Sequence, residues 1–287
     1  MRKTSTLKAY AFLAPFLVFF ALVFVYPVLF GGYLSLFGQR GARMWWVGLG
    51  NYATVLTDPQ FWGGFGLPAF LLFVQVPLML LLGIIIALLY ERIKHSRVYR
   101  LIFYLPYAMP GIVAGLLWAY IFSKSMSPFV PLMHAFGVKN PNFITYPSLP
   151  WILLIIILWE WTGYTSLILY STLLSIPKEY AEQAQLDGAT HTQVAYYIKV
   201  PLLKNTVLVL FIFNAIGALQ VFNEPWILGQ LITLSPNYTP AIYIYNEAFS
   251  YGAFTHAIAM GLVLAAVIFV ISFFFLRRST KELNIHA

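Results

Sequence analysis

The residues best able to do chemistry in this 287-residue chain are polar side chains set inside long apolar stretches. Glu160, Trp161 and Tyr164 share one stretch, with Glu160 and Tyr164 one helical turn apart. Asn214, Gln220, Asn223 and Glu224 share another. On a continuous helix, Gln220, Asn223 and Glu224 would fall within a sector of about 100°. Carboxylates and amides hydrogen-bond to hydroxyl groups, and aromatic faces stack on the C–H surface of a sugar. These seven residues therefore suit a neutral, hydroxylated ligand. They also suit hydrogen bonding between helices or, for Glu224, a place near a membrane interface; polar groups in lipid normally face a bundle interior. Covalent or hydrolytic chemistry has no comparable support. There is no phosphate-binding glycine loop with its lysine, no metal-ligand cluster and no Ser–His–acid set. His95, His134, His191, His256 and His286 are dispersed. With no cysteine, disulfides, thiolate metal sites and cysteine nucleophiles are excluded. The chain is expected to have no catalytic residue and no metal.

A second group of polar residues has a different character. After Pro177, the segment KEYAEQAQLDGATHTQVAYYIKVPLLKN is the one long amphipathic region, and it carries Glu179, Glu182 and Asp187. Its composition predicts a helix over Lys178 to Leu186, opened by Pro177 and ended by a turn at Gly188. A second helical run then passes through Val194, Ile198 and Pro201 into the next apolar stretch. Two short helices meeting at a glycine turn make an elbow, expected to lie parallel to a membrane surface.

The elements that position both groups follow from composition. The chain is 61% hydrophobic and 9% charged, where an ordinary soluble domain is about 25% charged. Too few charges are available to cover a surface in water, so the solvent is lipid. Aromatic residues at 18% suit Trp and Tyr belts at two interfaces. The net charge of +8 comes from scattered Lys and Arg with no basic stripe, so no nucleic-acid partner is expected. Six uncharged stretches, roughly 10–37, 61–90, 101–122, 150–174, 205–228 and 257–276, are each long enough to cross a hydrocarbon core. The first is too long for a signal sequence and ends in no cleavage site, so it is read as a retained anchor.

With the N-terminus inside, thirteen Lys and Arg fall on the cytoplasmic side and only Arg40, Arg43, Lys124 and Lys139 on the other. Both termini are then cytoplasmic, and so is the elbow, roughly 176–205. The outer loops (45–52, 139–151 and 234–240) read as interfacial turns. Pro77, Pro106 and Pro110 predict kinked spans. The expected architecture is one all-α membrane domain over 1–287.

The spacing within the elbow is specific. Glu182, Ala184 and Gly188, then nine residues to Ile198 and on to Val200-Pro201, resemble a motif of binding-protein-dependent ABC importer membrane subunits: E-A-A, three residues, G, nine residues, I-x-L-P. Gln183 stands for the usual middle alanine and Val200 for leucine; the spacing is unbroken. YAFLAPFLVFFALVFVYPVLFGGYLSLF, VGLGNYATVLTDPQFW and YRLIFYLPYAMPGIVAGLLWAYIF are similar to the first span, first outer loop and third span of the carbohydrate-importer permeases. The chain most resembles the subunit type of lactose, maltose and glycerol-phosphate importers. Gly229 to Pro236 reads GQLITLSP where the family usually has a stretch ending in Gly-Gly-Pro, so this outer loop is expected to be shaped differently.

The resemblance implies the type I ABC importer permease fold with six transmembrane helices. It implies that Glu179, Glu182, Ala184, Asp187, Gly188, Ile198 and Pro201 form a coupling elbow seated on a cytoplasmic ABC ATPase dimer. ATP and Mg would be held there, with no cofactor bound by this chain. A second homologous permease, an extracytoplasmic solute-binding protein and a sugar or oligosaccharide are the other implied partners, in a bacterial or archaeal cell (inner) membrane. Import of a polyol, an aminosugar or glycerol phosphate is the rival within the class; a stand-alone facilitator or membrane enzyme is the rival outside it. The absence of Lys or Arg from the spans argues mildly against an anionic substrate.

Overall fold

In lipid the backbone has no water to bond, so apolar segments of this length satisfy their amides and carbonyls internally as helix. The computed structural model describes residues 12–93, 96–124, 127–137, 143–232 and 234–284, with side chains described as far as 277. Arg2, Lys3, Lys8, Lys94, His95, Lys139, His286, the start of the first predicted span and part of the second outer loop lie outside the described residues. So do the side chains of Arg278 and Lys281.

Among the described residues, five helices are long and apolar enough to cross a membrane. In the order of the chain, α1 (Phe12–Leu34) is followed by a hairpin of β1 (Phe37–Arg40) and β2 (Arg43–Trp46), then α2 (Gly50–Thr57) and the long α3 (Pro59–Arg92). Next come α4 (Ser96–Ala108), α5 (Gly111–Ile121), the short α6 (Val130–Ala135) and α7 (Leu149–Ser175). The elbow holds α8 (Lys178–Leu186) and α9 (191–202). The chain ends through α10 (Lys204–Leu219), α11 (Asn223–Gly229), α12 (240–250) and α13 (Phe254–Asn284). The five spans are α1, α3, α7, α10 with α11, and α13 as far as Arg277.

Three expectations change in detail. The stretch 101–122 is bent more sharply than a kink: α4 and α5 meet at 96°, and with this bent pair counted as one span the crossings number six. Pro110 is the cause. It has no amide to donate, and it forces Met109 into an extended conformation (φ −86°, ψ 141°) that no helix contains. Gln220, Asn223 and Glu224 do not share one continuous helix either. α10 ends at Leu219 and α11 starts at Asn223, across a Phe222 at φ −137°. Pro225 explains the break, because its ring clashes with the carbonyl four residues back, at Val221. Finally, the helical fold carries one short strand hairpin among the described residues. The first helix stops at Leu34, and residues read as span end and interfacial turn pair as an antiparallel ribbon, Phe37 opposite Trp46, around Gly41 at φ +61°. By contrast, Pro77 is absorbed without a break, just after a π turn over Leu71–Gln75.

The described residues gather into two compact units. One comprises residues up to Trp62 with Tyr243–Val267. Here Asn51 Nδ2 donates to the carbonyls of Ser35 (2.7 Å) and Phe37 (2.8 Å), and Tyr52 meets the Ser35 hydroxyl at 2.6 Å, pinning the ribbon to α2. Asp58 accepts from the Gln60 amide and from the Tyr243 hydroxyl at 3.0 Å. Glu247, outside the spanning segments, has its carboxyl pushed above the ordinary range by burial, drawn back by His256 and raised again by Asp58.

The folded chain therefore holds this proton more tightly than the unfolded one. Stability falls as pH rises through the window between the ordinary carboxylate value, about 4.3, and the raised one. Glu247→Gln is expected to raise the melting temperature at neutral pH and to leave it unchanged below about pH 4. Thermal unfolding in detergent across that range tests this; equal melting of both proteins at neutral pH would refute it.

The other unit, Gly63–Ile242 with the chain from Ile268, holds the core. Leu71, Val76, Leu80, Leu153, Ile156, Leu169, Leu203 and Leu228 are buried in one cluster drawn from α3, α7, α10, α11 and the end of the elbow. Glycines allow its closest crossings. Gly83 of α3 faces Thr165 and Leu169 of α7, and Gly111 and Gly115, one turn apart on α5, lie against Glu224 and Ile227 of α11. Small residues at this spacing let backbones approach within a membrane.

Candidate functional site

Where α10 stops and α11 starts, the wall of the bundle opens. A cavity of about 220 Å³ lies there, lined by Gln75 of α3, Ile157 and Trp161 of α7, Phe213, Asn214, Gly217 and Ala218 of α10, the connection Gln220–Phe222, and Asn223 and Glu224 of α11. Five of the seven residues expected to meet a ligand are thus brought to one space: Trp161, Asn214, Gln220, Asn223 and Glu224. The break in the helix, absent from the sequence reading, is what turns Gln220 and Asn223 toward a common void. Asn214 gives one amide hydrogen to the Leu210 carbonyl (2.7 Å), keeping its other hydrogen and its oxygen for a ligand. Glu224 is buried in the first turn of α11.

The other two residues stand behind the wall. Glu160 is 3% exposed, and its Oε2 has no hydrogen-bond partner among the described residues. Tyr164 stacks on Tyr107 with ring centroids 4.3 Å apart, and Tyr107 meets Trp161 edge-on at 5.1 Å. Tyr164 therefore orients the cavity's Trp161 through an aromatic stack and does not line the cavity. Gln75, Phe213 and Phe222 were missed. A buried glutamine at the end of a π turn in an apolar span is a signal in retrospect, since π turns often mark functional positions.

The elbow is built as its spacing predicts. The Ala189 amide donates to the Ala184 carbonyl (2.9 Å) and the Gly188 amide to that of Gln185 (3.0 Å), a paired helix stop with Gly188 at φ +88°. Thr190 then opens α9 with a reciprocal cap: its hydroxyl accepts from the Gln193 amide, and its own amide donates to Gln193 Oε1 (2.7 Å). Glu179, Glu182, Asp187, Gly188 and Pro201 are exposed, while Ala184 and Ile198 are half-buried. Tyr180, Leu186, Tyr196 and Tyr197 add exposed apolar surface, with Leu186 at 88%.

Residues 79–281, most of the chain, match the family of binding-protein-dependent transport system inner membrane components. The chain belongs to that family. It is a multi-pass membrane permease of an ABC importer. A probable ABC transporter permease of Pyrococcus horikoshii is 29% identical over 272 residues, covering 92% of this chain and 93% of that one. The lactose transport system permease protein of Rhizobium radiobacter is 27% identical over 290 residues, covering 98% and 97%. The fold is shared with the crystal structure of a bacterial ABC transporter that imports the acidic polysaccharide alginate. That match has a TM-score of 0.82 and 22% identity, over 98% of this chain and 99% of the other.

Proposed function

We propose that this permease provides half of the path by which a neutral sugar or oligosaccharide crosses the membrane, and that it takes its movement from a separate ATP-hydrolysing subunit. The observation that carries the sugar reading is the cavity. Trp161, Phe213 and Phe222 supply faces for stacking, and Gln75, Asn214, Gln220, Asn223 and Glu224 supply hydrogen bonds. No lining residue is cationic, so a phosphorylated or carboxylated solute would find no counter-charge there. That favours a sugar over glycerol phosphate. Names of relatives such as the lactose permease point the same way.

In this reading both termini and the elbow face the cytoplasm, and 1–287 acts as one domain. The elbow seats in a groove of an ATPase dimer that holds ATP and Mg. Glu179, Glu182 and Asp187 form the rim of the contact, Ala184 and Gly188 allow close approach, and Ile198 and Pro201 anchor the second arm to the spans. A second, related permease supplies the other half of the path, and an extracytoplasmic binding protein delivers the solute. Closure of the ATPase dimer tilts the elbow and the spans continuous with it, so the cavity opens to one face and then the other. Hydrolysis belongs to the ATPase; this chain binds, orients and moves.

Asn214→Ala and Asn223→Ala are each expected to raise the KM for the transported sugar about tenfold, the weight of one or two lost hydrogen bonds. ATPase association should be unchanged. Uptake into proteoliposomes holding the complete transporter measures this. Unchanged KM and specificity in both variants would remove the cavity from the path.

A further inference from the structure

The inner ends of the spans are tied to one another by several contacts. The Tyr90 hydroxyl of α3 lies 3.4 Å from Ser166 Oγ of α7, and its ring meets Tyr170 edge-on. The Arg100 guanidinium of α4 sits 4.7 Å over the Tyr170 ring. The Thr172 hydroxyl of α7 lies 3.1 Å from that of Thr206 in α10. One contact differs in kind because it ties a span to the elbow. Lys199 Nζ lies 2.9 and 2.8 Å from the two carboxylate oxygens of Glu91, across 108 residues of chain. Glu91 is in the last turn of α3, and Lys199 closes a π turn in α9.

The elbow is continuous only with α7 and α10, through Ile176-Pro177 and through the buried Leu203. α3 has no covalent link to it there. Yet α3 carries Gln75 into the cavity wall sixteen residues further up, about 24 Å at 1.5 Å per residue. We infer that the Glu91–Lys199 ion pair is a strut that makes α3 move with the elbow, so that the third wall of the cavity follows the two walls the elbow pulls directly. This inference rests on the coupling role proposed for the elbow. The two side chains keep 23% and 22% of their exposure. A solvent-accessible pair of this kind adds little to fold stability, so its loss should show in coupling and not in folding.

The complete transporter in proteoliposomes tests this with Glu91→Gln, Lys199→Met and the exchanged pair Glu91→Lys with Lys199→Glu. Each single change is expected to lower solute moved per ATP hydrolysed by about fivefold, the factor one such pair can weight in a two-state element. Melting temperature and ATPase co-purification should not move, and the exchanged pair should recover most of the loss. Unchanged coupling in the singles, or an exchanged pair no better than they are, would overturn the strut. Loss of the ATPase in the singles would also overturn it, by placing the pair in docking itself. Failure of the elbow reading looks different: the ATPase would then not co-purify with the unaltered chain.

Discussion

Gly188→Val is expected to lower uptake by more than tenfold and to release the ATPase, while the spans stay folded. Gly188 sits at φ +88°, where a β-branched side chain is strained by about 1–3 kcal/mol. The space around it is open: a Cβ built there has no heavy atom within 4 Å. The effect is therefore one of backbone geometry and not of collision. Relieving the strain means abandoning the turn, and with it the bonds from Gly188 and Ala189 back to Gln185 and Ala184. The angle between α8 and α9 is set by that turn and by the Thr190–Gln193 cap. Gly188→Asn separates the two causes, because asparagine tolerates the left-handed region far better than valine. It should keep most of the uptake and co-purification that Gly188→Val loses. Normal values for the valine variant would remove the turn from the coupling mechanism.

The elbow was legible because its information is local. Pro177, the helix-forming run to Leu186 and Gly188 at the stop each act within a few residues and fix the first arm and its turn. The Thr190–Gln193 cap at the restart is as local but was not read from the sequence. The apolar spans were legible for the same reason, since length and lack of charge suffice. The breaks were only half legible. Pro110 and Pro225 mark them, yet a proline in a membrane helix can kink it, break it or be absorbed. Pro77 follows a π turn and interrupts nothing, whereas Pro110 divides a span at 96°. The outcome depends on which neighbours take up the freed carbonyls, and that is tertiary information.

The cavity shows the same limit. Its acids and amides could be named from their cost in lipid, and four of them, Asn214, Gln220, Asn223 and Glu224, do converge beside Trp161. The wheel projection used to group them failed all the same, because Gln220–Phe222 are not helical. Glu160, a candidate ligand alongside the Gln220–Glu224 group, stands buried outside the cavity lining, with Tyr164 stacked on Tyr107. Gln75 was passed over because an isolated amide in a run of leucines offers no spacing to read. Which face of α3 meets the cavity is decided by where Gly83 lets α7 approach, and no pattern within α3 carries that.

Close approach of this kind sets the other large expected effect. Gly163→Ala is expected to destabilise the permease by about 2 kcal/mol or more, the range of overpacked cores. A Cβ at Gly163 would overlap the carbonyl carbon and oxygen of Phe103 and lie 3.0 Å from the Tyr104 amide nitrogen. All three atoms are backbone, so no side-chain rotation relieves the overlap; α4 has to move off α7. That movement pulls Tyr107 from its stack on Tyr164 and withdraws the edge contact that orients Trp161 in the cavity wall. Stability and uptake should fall together, measured as melting temperature in detergent and as transport in proteoliposomes. Gly261→Ala in α13 is the matched control. Beyond the helix's own backbone, no heavy atom of the described residues lies within 4 Å of a Cβ there, and alanine is the better helix former by about 1 kcal/mol, so this variant should melt no lower than the parent. If Gly163→Ala melts with the parent as well, α4 and α7 do not meet as closely as Gly163 allows, and Trp161 is held by something other than the Tyr107–Tyr164 stack.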